Sequence, residues 1–286
     1  MRKNLIKNNK AAQMFMISPS ILWLLLFLFA PLAIIVGISF MTKSPHGGVT
    51  LPVTLDAYKE MLKSDYLIVF LRSIWLSVKT TIVCLLVGYP LGAIIANSSK
   101  KVKPVLVLMV MLPFWINSMI RLYGWMTLLR TEGIINNFLI AIGLIKEPLT
   151  MLYTDGAVLL GMVYDLLPFA VLPLYTSIEK IDKSLLEAAC DLGAPKIRSF
   201  IRVSLPLTMP GVFAATIQTF IPSLGLFFIS DMLGGGNKMY MGNLIKNQFL
   251  SARNWPLGAT LSLVIIVITI VLMRLYTRVG NLDDIV

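Results

Sequence analysis

Six stretches of this chain are apolar over roughly the twenty residues that a helix needs to cross a bilayer, at about 15–41, 73–96, 105–129, 156–176, 212–230 and 256–273. No other feature narrows the possible folds as far. A backbone inside lipid must satisfy every N–H and C=O internally, and a lone apolar segment does this as an α-helix. Apolar residues make up 57% of the chain and charged ones 14%, against about 25% charged in a soluble domain. The expected fold is therefore an all-α polytopic membrane protein, one transmembrane domain over 15–276. Short polar ends, 1–14 and 277–286, flank it.

The first run is too long for the apolar region of a signal peptide and lacks a convincing cleavage site, so it reads as an uncleaved anchor. Thr42 to Tyr66 is polar, with Pro45-His46-Gly47-Gly48 as a turn and Leu55 to Leu62 as a short amphipathic helix. Thr131 to Asp155 reads as an interfacial helix and Asp231 to Asn254 as a polar return loop. Six spans put both termini on one side. With the N-terminus inside, the inner segments carry fourteen Lys/Arg and the outer loops eight, so the positive-inside rule favours N-in/C-in.

The same charges exclude other classes. The net charge of +11 is scattered among loops and forms no nucleic-acid patch. His46 is the single histidine, and Cys84 and Cys190 lie far apart at different depths, so neither a metal centre nor a disulfide is expected. A membrane-embedded enzyme would need a nucleophile–base pair or metal ligands in the spans. No G-x-x-x-x-G-K-[ST] occurs; Gly234-Gly235-Gly236-Asn237-Lys238 lacks the hydroxyl residue. Nor do the spans show the ion-binding discontinuous helices of a secondary transporter. Energy for uphill transport would have to come from another protein.

Lys183–Gly211, KSLLEAACDLGAPKIRSFIRVSLPLTMPG, is the longest segment without a spanning run. Ser184 and Glu187 match an S-x-x-E capping box, predicting a helix start at Ser184. Leu185, Leu186, Ala188, Ala189 and Leu192 give that helix an apolar stripe, and Gly193 sits where a left-handed stop belongs. Pro195 is expected at the first position of a second helix, which carries Lys196, Arg198 and Arg202 and ends at Leu205-Pro206. A passive channel or scaffold has no use for such a bent, docking-rich plug.

Glu187-Ala188-Ala189, Gly193 and Val203-Ser204-Leu205-Pro206, in that register, resemble the EAA loop of ABC-importer permease subunits. Val203 stands where isoleucine is more usual, and Cys190 where a basic residue is common. The resemblance implies a type I permease fold of six transmembrane helices, with a cytoplasmic coupling-helix loop (177–209) seated in an ATPase subunit. Ser184, Glu187, Ala188, Ala189, Asp191, Gly193, Lys196, Arg198, Leu205 and Pro206 are then the coupling residues. Leu112–Trp125, Leu160–Asp182 and the stretch from Ser230 to Gly258 further resemble the spermidine/putrescine importer permeases. That likeness implies polyamine cargo, with iron, phosphonate-type compounds or other small ions as alternatives. It also implies a second homologous permease subunit, two ATPase subunits, an extracytoplasmic substrate-binding protein, and a place in the bacterial cell membrane. This chain would bind no cofactor; ATP and Mg would sit on the ATPases.

Polyamine cargo requires carboxylates and aromatic faces. Candidates are Asp165, Asp231, Trp115, Tyr123 and Trp125, although interfacial Trp and Tyr commonly form the aromatic belt. Counted along straight helices, Asp165 lies roughly 14 Å and Lys79 roughly 9 Å from the outer ends. A structural Lys79–Asp165 ion pair is therefore expected, with direct cargo binding by Asp165 as the alternative.

Overall fold

The computed structural model describes residues 16–236 and 238–279. Among the described residues the regular elements are helices apart from one short hairpin. In chain order the elements are α1 (Met16–Ser39, with wide π turns over Leu25–Phe29), β1 (Met41–Lys43), β2 (Val49–Val53), α2 (Asp56–Met61), α3 (Ser64–Asn97) and α4 (Lys103–Met111, extended by a 3-10 turn over Leu112–Trp115). Then come α5 (Ser118–Leu129), α6 (Ile134–Ala141), α7 (Asp155–Glu179), α8 (Lys183–Asp191), α9 (Lys196–Leu207), α10 (Met209–Gly225), α11 (Phe227–Gly234), α12 (Met241–Leu250) and α13 (Trp255–Val279).

Among the described residues four helices, α1, α3, α7 and α13, are long and apolar enough to cross a membrane alone. Two bent pairs bring the count to six if each is one span: α4 with the α5–α6 arm, bent by 88°, and α9 with α10, bent by 69°. A count of up to six is consistent with the six apolar runs, with three corrections. The fifth run, expected over 212–230, breaks at Leu226 between α10 and α11. The third run, expected as one helix over 105–129, breaks at Ile116-Asn117. Asn117 there turns extended and accepts the Met119 N–H to cap a new helix. The expected return loop 231–254 contains α12 and the end of α11, with Met241, Asn243 and Leu244 buried.

The contacts divide the chain into two units. One comprises the chain up to Lys63 with Ile245–Val264. In it α1 exposes large side chains all round, among them Leu22, Trp23 and Phe27, a helix suited to lipid. The β hairpin follows, turning at the expected Pro45-His46-Gly47-Gly48, and Gly48 N–H donates to the Arg253 carbonyl at 3.0 Å.

The other unit, Ser64–Leu244 with the chain from Ile265, is organised on α7. That helix buries Ala157, Val158, Met162, Asp165, Leu166, Ala170, Val171 and Leu174 and carries Pro168 and Pro173 without breaking. Helix α3 packs along it through a stripe of small residues, Ser73, Ser77, Cys84, Gly88 and Gly92. Small residues let helix backbones approach closely in a membrane. At Gly92 a Cβ would lie 3.1 Å from the Tyr175 backbone nitrogen, so any larger residue would push the two helices apart. At 34 residues α3 runs about 51 Å, which exceeds a hydrocarbon core of about 30 Å and explains its polar start at Ser64-Asp65.

Candidate functional site

The bent segment Lys183–Leu207 is the mostly exposed stretch between α7 and α10. Asp182 caps α8, its carboxylate accepting the Ser184 N–H at 3.0 Å. The cap thus sits two residues before the Ser184 expected from the S-x-x-E pattern. That hydrogen bond holds the Asp182 carboxyl below the usual aspartate range. The helix ends as its glycine requires: Gly193 has φ +76°. Gly193 N–H donates to the Cys190 carbonyl at 2.9 Å and Ala194 N–H to the Ala189 carbonyl at 3.0 Å, the Schellman pattern. Pro195 is the N-cap of α9 rather than its first residue.

Most coupling candidates face outward. Ser184, Glu187, Ala188, Asp191, Gly193, Lys196, Arg198 and Pro206 are exposed, Ala189 and Leu205 half-buried. Leu192 and Ile197 are 88% and 74% exposed, an unusual display of aliphatic surface on a polar segment. The knob is nevertheless fastened to its own body. Tyr89 on α3 meets Phe200 edge to face at 5.2 Å and its hydroxyl lies 2.9 Å from Thr208 Oγ1. Lys103 pairs with Glu179, the last residue of α7, at 2.5 Å. A cavity of about 380 Å³ is lined by Leu185 on one side and Pro173, Ser177 and Gly211 on the other.

A second site is buried between α5 and α7. Asp165 pairs with Arg121, not with Lys79. Arg121 Nη2 donates to Asp165 Oδ1 at 2.6 Å and to Ser118 Oγ at 2.7 Å, and Ser118 Oγ donates to Asp165 Oδ1 at 3.2 Å. The side chains are 4% and 10% exposed, so removing one charge strands the other at a cost of about 3–5 kcal/mol. The guanidinium lies over two rings, 5.8 Å from Phe114 and 5.5 Å from Tyr164. Lys79 instead lies over Trp75 at 5.5 Å, beside a cavity of about 260 Å³ that Arg72, Asp155, Lys238 and Tyr240 also line. Depth counted along straight helices chose Lys79. The break at Ile116-Asn117 redirects α5 and brings Arg121 onto Asp165. A charge inside the third apolar run was the signal for it.

Of the other cargo candidates, Trp125 packs edge to face on Tyr164 at 5.5 Å, one ring removed from the pair. Trp115 and Tyr123 are 73% and 62% exposed and stand apart from it. Asp231 is half-buried on α11 and accepts a hydrogen bond from Asn243 Nδ2, which ties α11 to α12.

Residues 88–281 match the family described as binding-protein-dependent transport system inner membrane component. The spermidine/putrescine transport system permease protein PotB of Salmonella typhimurium (strain LT2) is 42% identical over 277 residues, 97% of this chain and 96% of that protein. PotB of Escherichia coli (strain K12) is 44% identical over 260 residues, 91% and 94% of the two chains. Among solved structures, a bacterial ABC transporter that imports the acidic polysaccharide alginate shares the fold at TM-score 0.72, with 20% identity over 98% of this chain and all of that one. The exposed bent knob after α7, the membrane-length helices and a family match across most of the chain make it a member of the inner-membrane permease components of binding-protein-dependent transport systems.

Proposed function

We propose that this chain is the permease subunit of an ATP-driven ABC importer for polyamines, spermidine and putrescine. The observation that carries the cargo is the 42–44% identity, over nearly the whole length of both chains, to permeases named for those two compounds. In this reading the chain pairs with a second, homologous permease. Two ATPase subunits carry ATP and Mg, and an extracytoplasmic protein delivers cargo. Six spans run N-in/C-in, in line with the fourteen-to-eight bias of basic residues toward the inner segments, and the Lys183–Leu207 knob lies on the ATP side.

The knob has the chemistry this role needs. Leu192 and Ile197 offer apolar anchors to a partner's groove, Glu187, Lys196 and Arg198 a charged rim. Closure of the ATPase pair would draw the two permeases' knobs together. Tyr89 and Phe200 tie the knob to α3, so its movement tilts the helices and alternates access to the interior. The spans supply a carboxylate and aromatic rings at Asp165, Tyr164 and Trp125, groups suited to cationic cargo.

The test is uptake of radiolabelled spermidine by the complete assembly in proteoliposomes, with unlabelled spermidine, putrescine and ferric iron as competitors. Competition by both amines and not by iron is expected. Uptake blocked by iron, or none with either amine, removes the polyamine assignment.

A further inference from the structure

Arg121 sits among groups with the chemistry of a cation receptor, and it leaves two of its own buried donors unpaired there. Two aromatic faces and a buried carboxylate form a set that holds an organic cation. Here they are Phe114, Tyr164 and Asp165. Both rings are braced from behind, Phe114 by Phe169 at 5.1 Å and Tyr164 by Trp125 at 5.5 Å. A site shaped for arginine usually takes the guanidinium fork with two parallel bonds. In this one a single nitrogen, Nη2, makes every hydrogen bond, while Nε and Nη1 are buried with no partner. One carboxylate oxygen with two rings near the cation suits a compact ammonium better than a planar five-donor group.

The elements allow an exchange. Arg121 rides on α5, whereas Asp165 and Tyr164 belong to α7 and Phe114 to the turn before the 88° break. A pivot at Ile116-Asn117 would withdraw the guanidinium and leave carboxylate and rings in place. We propose that Asp165, Tyr164 and Phe114 receive one alkylammonium group of the cargo during transport, and that Arg121 is the tethered occupant it displaces. The proposal deepens the polyamine reading and takes the nature of the cargo from it.

The experiment uses the purified complete assembly in detergent, with ethylammonium as probe and sodium chloride at equal ionic strength as control. The Arg121→Ala assembly should melt below wild type and recover by about 3 °C or more on adding ethylammonium. Wild type and the Arg121→Ala/Asp165→Asn assembly should not respond. No recovery, or equal recovery in the double variant, overturns the receptor. If Arg121→Ala does not assemble, the neutral near-isosteric pair Arg121→Gln/Asp165→Asn decides. Co-purification with its partners and a fall in spermidine uptake of at least about tenfold support the receptor. Co-purification with uptake at the wild-type level marks the ion pair as structural and overturns it. Wild-type spermidine uptake, measured separately, keeps the two ideas apart: ethylammonium recovery without it supports the receptor and removes the polyamine cargo.

Discussion

Gly193 shows how much one residue's backbone can decide. Nothing lies within 4 Å of the Cβ an L residue would add there, so space is not the constraint. The constraint is φ +76°, which costs an L residue about 1–2 kcal/mol, more if it is β-branched. Asparagine visits that region and valine resists it. Gly193→Asn should therefore retain coupling. Gly193→Val should straighten the junction of α8 and α9, raising the ATP hydrolysed per cargo molecule imported while leaving the amount of protein in the membrane unchanged. Both quantities can be measured on the same proteoliposomes, and ordinary stoichiometry in the valine variant would remove the bend from the coupling mechanism.

At the scale of elements, α8 depends on its first turn. Asp182 satisfies the Ser184 N–H that would otherwise be an orphan donor, and the hydrogen bond favours its ionised form. A carboxyl lowered in the folded state stabilises that state fully above the ordinary aspartate value of about 3.9 and loses the effect as pH falls through the lowered value. The cap is thus complete at neutral pH, and coupling should not change on its account between about pH 6 and 8. Asp182→Asn keeps the acceptor and should behave as wild type in cargo-stimulated ATP hydrolysis. Asp182→Ala should fray α8 and lower that stimulation, with faster tryptic cleavage of the loop. The start of α8 also marks what a sequence can carry. Asp182 and Ser184 are both capping residues, and the Ser184–Glu187 pattern favours the wrong one because local spacing does not register the backbone geometry. The Gly193 stop was legible, since few residue types accept positive φ. Membrane-length runs were legible because lipid leaves an apolar segment little alternative to a helix. The ion pair at Asp165 was not, because its partner depends on a bend whose only local traces are Pro113 and the capping residue Asn117. Helix α12 escaped for another reason: Gly242, Asn243, Lys246, Asn247 and Gln248 give it a polar composition that resembles a loop.

For the whole molecule the open quantity is orientation, and the chain carries its own two probes. Cys190 is exposed on the knob and Cys84 is fully buried between α3 and α7. A membrane-impermeant maleimide should therefore report on Cys190 alone. If the excess of basic residues on the inner segments sets the topology, intact cells will leave the chain unlabelled and inside-out vesicles will label it, with Cys190→Ser abolishing the signal. Docking adds a second requirement. If the ATPase subunits seat on this knob as proposed, Leu192, Ile197 and their neighbours are covered in vesicles that retain them, and labelling should slow by about tenfold or more, as an interface residue exchanging with a small exposed population would. Stripping the ATPase should restore it. Labelling of intact cells would reverse the topology and put the knob out of reach of ATP. Labelling from inside that the ATPase does not slow would keep the topology and move the docking surface away from Cys190, toward Lys196 and Arg198 on α9.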